Sequence, residues 1–313
     1  MEDYPSNLPE FEERFSSEEA CRRYLVSLRW PDGFRCPRCR CRRAWVLPNG
    51  LYECGECSAQ TSVTAGTLFQ DTKKPLRLWF RAMWHVTSQK YGANALGLQR
   101  VLGLGSYHTA WAWLHKLRRA MVRPGRDRLS GSVQVDETYV GAKKPGKRGR
   151  GAAGKMLVLI MAQEKRNEKA VGRIRLAHIP DASGASLLPA IQAAIEPGST
   201  VVTDKWTGYW GLDAIDYEHV VEYEDGTIEE EVLPLPHLVA SLLKRWILGT
   251  YQGSMRPAHL AYYLAEFTFR FNRRTSTSRG KLFYRLLQQA VSIDPVPIRA
   301  IVGGNPQRTE HSM

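Results

Sequence analysis

The 313 residues have the 43% hydrophobic content of an ordinary water-soluble fold, and they leave room for two or three domains with their own cores. Lys and Arg number 44 against 31 Asp and Glu, and the resulting +13 points to a polyanionic partner, nucleic acid ahead of membrane because no basic amphipathic anchor is present. No apolar run approaches the roughly 20 residues that span a bilayer, and the acidic opening MEDYPSNLPEFEE has no signal-peptide core, so the chain is expected in the cytoplasm, with its cysteines as metal ligands or free thiols.

In FSSEEACRRYLVSLRW, residues 15–30, Ser16 and Glu19 are spaced as a capping box, and Pro31-Asp32-Gly33 ends the predicted helix. Cys36 and Cys39 of CPRC are followed by Cys54 and Cys57 of CGEC. Two such knuckles set four thiolates at the corners of a tetrahedron, the geometry of structural Zn2+. Between them CRRAWVLPNGLYE reads as two strands around a Pro-Asn-Gly turn, which makes residues 1–70 a helix plus a zinc ribbon. Cys21 and Cys41 fall outside the ligand spacing. A module with so little core would draw most of its folding energy from zinc, about 10–16 kcal/mol. The spacing fits DNA or protein equally as the ribbon's partner.

Residues 71–126 read as helical: PLRLWFRAMWHVTSQ, then NALGLQRVLG and YHTAWAWLHKLRRAM across the turn Leu104-Gly105-Ser106. The last two resemble a helix-turn-helix, with Trp111, Leu114, Leu117 and Met121 as the core stripe. On that reading His108, His115, Lys116, Arg118 and Arg119 face DNA.

Residues 127–295 change to strand patterning. In SVQVDETYVG, residues 132–141, Gln134, Asp136 and Thr138 share one face while Val133, Val135, Glu137 and Tyr139 share the other, so Asp136 and Glu137 cannot enter one site. A second run, STVVTDKWTG, ends in Asp204, and pairing of the two runs would let Asp136 and Asp204 share a divalent cation. The cationic stretch VGAKKPGKRGRGAAGK places Lys143, Lys144, Lys147, Arg148 and Arg150 near that site as phosphate contacts. KMLVLIMAQE and VGRIRLAHIP add two strands, and ASLLPAIQAAI a helix. Hairpin-connected strands, a helix and a further strand follow the order of an RNase H-like core, an α+β or α/β mixed sheet flanked by helices.

The helix entered from Pro236 carries His237, Ser241, Lys244 and Leu248 on one face and Leu238, Leu242 and Trp246 on another. His237 is thus a candidate third ligand, with Glu229, Glu230 and Glu231 as competitors, and Lys244 and Arg245 as phosphate contacts. In HLAYYLAEFTFRFNRR, Glu266 is spaced to pair with Arg270, Phe267 and Phe271 to pack on the sheet, and Arg273 and Arg274 to face DNA. Residues 296–313 read as a flexible tail.

CPRC with CGEC, AWAWLHKLRRAM, VDETYVGAKKPGKRGRG, VVTDKWTGY, HLVASLLKRWILGTYQG and HLAYYLAEFTFRFNRR together resemble the DDE-type transposases of bacterial insertion sequences, in the ISXO-like group with an N-terminal zinc ribbon. The resemblance covers nearly the whole chain. It implies Asp136 and Asp204 as ligands of catalytic Mg2+ or Mn2+, end cleavage and strand transfer on double-stranded DNA, and a homodimer or larger synaptic complex without a membrane. Seven positions before the helix lysine, where the family carries Glu or Asn in some groups, this chain has His237, giving a DDH site. A non-catalytic regulator built on the ribbon and helix-turn-helix, and a hydrolytic nuclease of the same fold, are the alternative readings.

Overall fold

The described residues of a computed structural model are 2–123, 125–141, 155–165, 170–222, 232–253 and 255–303. In chain order they form α1 (Leu8–Arg14), α2 (Glu18–Arg29), β1 (Ala44–Val46), β2 (Tyr52–Cys54), β3 (Gln60–Thr61), α3 (Leu76–Ser88), α4 (Ala95–Leu102) and α5 (Tyr107–Ala120). There follow β4 (Ser132–Val140), β5 (Met156–Glu164), β6 (Val171–Ile179), α6 (Gly184–Ala194), β7 (Thr200–Thr203), β8 (Glu218–Val221), α7 (Pro234–Tyr251), α8 (Leu260–Phe271), α9 (Arg279–Ala290) and α10 (Ile298–Val302). Two compact units result: residues 1–124 with 276–313, and residues 125–275. No helix among the described residues is long and apolar enough to cross a membrane.

In the first unit, helix ends are set by side chains that replace missing backbone partners. Ser17, one residue later than the expected Ser16, caps α2 by accepting from the Ala20 N–H at 3.1 Å. That leaves Glu18 to cap a different helix. Its carboxylate accepts from the N–H groups of Leu76 and Arg77 at 2.7 and 3.1 Å, at the start of α3, where Pro75 makes no side-chain cap. Phe11 of α1, Trp84 of α3 and Phe283 of α9 pack together with ring centroids 4.7–5.8 Å apart, and Phe15 and Phe80 join them.

This aromatic core corrects the expected boundaries. Residues 276–295 belong with the first unit because Phe283 is fully buried in it. The expected tail from 296 contains α10, which packs on α5 and buries Ile301.

In the second unit β4, β5 and β6 form an antiparallel meander, and β7 and β8 continue the sheet in parallel on the other side of β4, in the order β6-β5-β4-β7-β8. Numbered by sequence the order is third, second, first, fourth, fifth, the RNase H-like arrangement; β8 was not foreseen in the sequence. Interior strand β5 is nearly all apolar because both its faces are covered. Val133, Val135, Leu159 and Met161 pack with Leu187 and Ile191 of α6 on one face. Val158, Ile160 and Ala162 pack on the other with Val239, Leu243 and Ile247 of α7 and Leu264, Phe267 and Phe271 of α8.

Gly280, in the first turn of α9, illustrates the packing limit. A Cβ there would stand 1.6 Å from the Pro5 carbonyl oxygen. Glycine to alanine within a helix ordinarily stabilises by roughly 0.5–1 kcal/mol. Here the sign should reverse: Gly280→Ala is expected to destabilise by about 1–3 kcal/mol, read as a lower urea midpoint.

Candidate functional site

The ribbon thiols come together through two matched turns. The Arg40 N–H donates to the Cys36 carbonyl at 3.0 Å and the Ser58 N–H to the Cys54 carbonyl at 3.1 Å, with both donor residues at positive φ. The Cys36 and Cys54 N–H groups then bond to the carbonyls of Cys41 and Ala59. All four Sγ atoms lie within 4.8 Å of one another, with Cys36–Cys57 at 3.7 Å and Cys39–Cys54 at 3.4 Å. A tetrahedron with zinc–sulfur bonds of ~2.3 Å has edges of ~3.8 Å, so the donor set fits structural zinc. The N–H groups of Cys57 and Glu56 hold the Cys54 thiol down to about 6, favouring the thiolate that binds metal. Cys21 is fully buried away from this cluster, and burial pushes its thiol up to about 12.

The acidic pair depends on strand register. The parallel ladder of β4 and β7 runs Ser132–Thr200, Val133–Val201, Gln134–Val202. Two residues beyond the last pair come Asp136, still on β4, and Asp204, directly after the end of β7. The turn after Asp204 is held tightly. Asp204 Oδ1 accepts from the Trp206 N–H at 3.0 Å, and the Trp206 indole donates to the Ala182 carbonyl at 2.6 Å. Gly208 is required there, since a Cβ would come within 2.5 Å of that same carbonyl oxygen. The Thr203 hydroxyl donates to the Asp204 carbonyl at 2.9 Å and lies 2.8 Å from His219 Nε2. Buried Tyr209 donates its hydroxyl to Glu137 Oε2 at 2.7 Å, on the sheet face opposite Asp136.

Sequence patterning did not single out Tyr209, His219 or Gln134. For Gln134 the signal was its shared face with Asp136: its Oε1 accepts from the Leu235 N–H at 3.1 Å and seats the start of α7 on β4. His237, in that first turn, has Nε2 3.5 Å from Asp136 Oδ2. Its side chain is 45% exposed and that of Asp136 19%. Adjacent donors bound at ~2.1 Å to an octahedral ion stand ~3.0 Å apart, so the two atoms are within ~0.5 Å of the spacing that a shared Mg2+ or Mn2+ would set. Burial, then the charge of Glu137, pushes the Asp136 carboxyl up to about 6, with Asp204 adding to the effect and His237 opposing it. A desolvated carboxylate raised by neighbouring negative charge is one that a divalent cation on the Asp136 side of the sheet would relieve. It is a looser set than the ribbon: among the described residues, the group of three or more such donors within 4.8 Å is the four thiols.

The basic residues divide. Lys143, Lys144, Lys147, Arg148 and Arg150, and the competing ligands Glu229, Glu230 and Glu231, lie outside the described residues. His237, Ser241, Lys244 and Arg245 are exposed on α7, while Leu238, expected on its apolar side, is exposed as well. Arg118 requires correction: only 1% of it is exposed, and it lies 3.5 Å from the equally buried His115. The reason is that α5 packs against α4, α9 and α10, which cover the face expected to meet DNA. Arg119 is half-buried and donates to the Asp294 carbonyl at 3.2 Å. Arg274 also departs from expectation, bonding to the carbonyls of Gly172 and Phe271 at 3.1 and 3.0 Å and to that of Val171. Arg273 donates to the Phe269 carbonyl at 3.3 Å and stacks 4.1 Å from the Phe269 ring centroid. Glu266 is buried and bound by Arg270 at 2.8 Å and by the Tyr251 hydroxyl at 3.1 Å.

Comparison with known proteins adds three findings. Residues 128–272 match the ISXO2-like transposase domain, and residues 16–60 the transposase zinc-ribbon domain. An uncharacterized protein in transposable element ISH50 of Halobacterium salinarum is 29% identical, covering 82% of this chain and 93% of its own. A chain in the cryo-EM structure of the simian T-cell lymphotropic virus intasome with PP2A regulatory subunit B56 gamma aligns at 14% identity and a TM-score of 0.30, over 59% of this chain and 65% of that one.

Two measurements test the site. The folded Asp136 carboxyl holds its proton more tightly than the unfolded one, so its ionisation subtracts stability as pH rises from about 4 through about 6. Without added Mg2+ or Mn2+, Asp136→Asn should exceed the wild type in stability by about 1–2 kcal/mol at pH 7.5, and urea titrations should show the difference vanish near pH 4. Chelating zinc should unfold the ribbon, seen as rapid hydrogen exchange over residues 36–61, because so short a sheet has little core of its own.

Proposed function

The chain belongs to the ISXO2-like transposase family, and from that premise we propose that it binds the ends of its own insertion sequence and cleaves and joins DNA at a site made by Asp136, Asp204 and His237. The observation that carries this reading is the register that brings two carboxylates to equivalent positions beyond one ladder, with an imidazole 3.5 Å from the first. A divalent cation bound there, Mg2+ or Mn2+, would supply the charge that activates a nucleophile and stabilises the leaving oxygen at phosphorus.

The protein's own groups do the rest. Asp136 and Asp204 would hold the cation as carboxylates, and in its absence Asp136 is half ionised near pH 6. His237 binds through neutral Nε2, directed by the seating of α7 on Gln134. Lys244 and Arg245, exposed on the same helix, approach the phosphates that flank the scissile bond, joined by Lys143, Lys144, Lys147, Arg148 and Arg150. The zinc ribbon acts in end recognition, since α4, α9 and α10 cover the α5 face that would otherwise meet DNA. Joining two ends requires two active sites in one assembly, so the working form is a homodimer or a larger synaptic complex on double-stranded DNA.

The test uses labelled DNA bearing the element's ends with a target plasmid, in Mg2+ and in Mn2+. Wild-type protein should cut and join, while Asp136→Ala, Asp204→Ala and His237→Ala should each lose at least about 100-fold in rate yet still bind ends. Binding without cutting by the wild type would favour a regulator, cutting without joining a nuclease. Retained activity in His237→Ala alone would move the third ligand to Glu229, Glu230 or Glu231.

A further inference from the structure

On the sheet face opposite Asp136, a group of arginines has no role in the site described above. Arg173 and Arg175, two apart on β6, share a face, and the register Val135–Met161–Arg175 puts that face on the α6 side of the sheet. Asp136 pairs with Ile160 on the α7 side. Arg175 is only 6% exposed, and its hydrogen bonds go to the carbonyls of Ile174 at 3.0 Å and Asp127 at 2.5 Å. Arg173 donates to the Arg128 carbonyl at 3.1 Å. The two strand arginines thus hold the segment 126–128 against the edge of the sheet, while Arg126 and Arg128 on it retain exposed surface, the guanidinium of Arg126 being desolvated enough that burial lowers it.

A purely structural strap accounts for Arg173 and Arg175. It does not account for two further arginines presented from the strapped segment. Among the described residues none of Arg126, Arg128, Arg173 and Arg175 makes an ion pair with a carboxylate. The charges of Arg126, Arg173 and Arg273 all act on Arg175, with Asp127 opposing them. Burial and this repulsion lower the Arg175 guanidinium to about 10. Gathering like charges around a desolvated guanidinium destabilises the free protein, and an anion relieves it. Planar guanidinium forks match phosphate oxygens in geometry as well as charge.

We propose that Arg126 and Arg128, braced by Arg173 and Arg175, form a second phosphate-binding surface that takes the backbone of duplex DNA on the sheet face opposite the acidic pair. The choice of DNA among polyphosphates rests on the transposase reading; the anion site itself does not. One protomer then holds a DNA segment on the face of the sheet away from its own acidic pair.

The test measures binding of full-length, zinc-loaded protein to a 30-base-pair duplex of arbitrary sequence by fluorescence anisotropy, without Mg2+ or Mn2+, between about 50 and 200 mM salt. Arg126→Ala/Arg128→Ala should bind about tenfold more weakly at 100 mM salt, with the slope of log K against log salt shallower by about 1.8. Arg126→Lys/Arg128→Lys should recover the slope. Unchanged affinity and slope in the alanine variant would overturn the proposal. So would a melting temperature raised by inorganic pyrophosphate in the wild type alone, with no difference on DNA, which would reassign the surface to a small polyphosphate. Because no catalytic metal is present, a chain that never cuts DNA still gives the slope difference if the surface is real, and a chain that cuts normally with no slope difference refutes the surface alone.

Discussion

Two carboxylates on neighbouring parallel strands repel one another, and the second unit is organised to hold them there. The β4–β7 ladder ends at Gln134 and Val202, so side-chain bonds set the spacing of the strand ends beyond it. Tyr209, from the turn after Asp204, reaches Glu137 on β4, and Thr203 lies against His219 of the next strand. These bonds are made by groups that do not themselves enter the acidic site. A rigid frame with charges that lack compensation is the condition under which a cation binds tightly without rearrangement, since the reorganisation has been completed during folding.

The zinc cluster differs in this respect. Its thiols are brought together by knuckle turns that any short chain of suitable sequence can form, and the ribbon strands of two or three residues add little burial. Metal and fold are therefore one equilibrium in the ribbon. Around the acidic pair the sheet and its helices provide a core whose burial is independent of metal.

Much of this was legible in sequence because it depends on local periodicity. Cysteine spacing gave the ribbon, and alternation along β4 separated Asp136 from Glu137 before any partner was known. The apolar content of β5, the helix positions of α3 to α8 and the central strand order also follow from such patterns. What could not be read depends on contacts between distant segments. Phe283 gives no local sign that it joins Phe11 and Trp84, so the boundary near 276 was placed too late. Nor does the short exposed strand β8 have an alternating pattern to mark it.

Arginine shows the same limit most clearly, since its sequence signal is identical whether it serves the fold or a partner. Arg118 is enclosed because a C-terminal helix returns to cover α5, and Arg274 satisfies carbonyls of an edge strand that would otherwise be open to pairing. Asn272 acts on the same edge, accepting from the Ile174 N–H and donating to its carbonyl. A net charge of +13 therefore overstates the surface offered to DNA. The charges that remain for phosphate are those on exposed residues whose backbone is already fixed by other bonds, as Lys244 and Arg245 are on α7 and Arg126 and Arg128 are beside β6. Fixing the backbone first lowers the entropy lost when phosphate binds, and it separates a built anion surface from a merely cationic one.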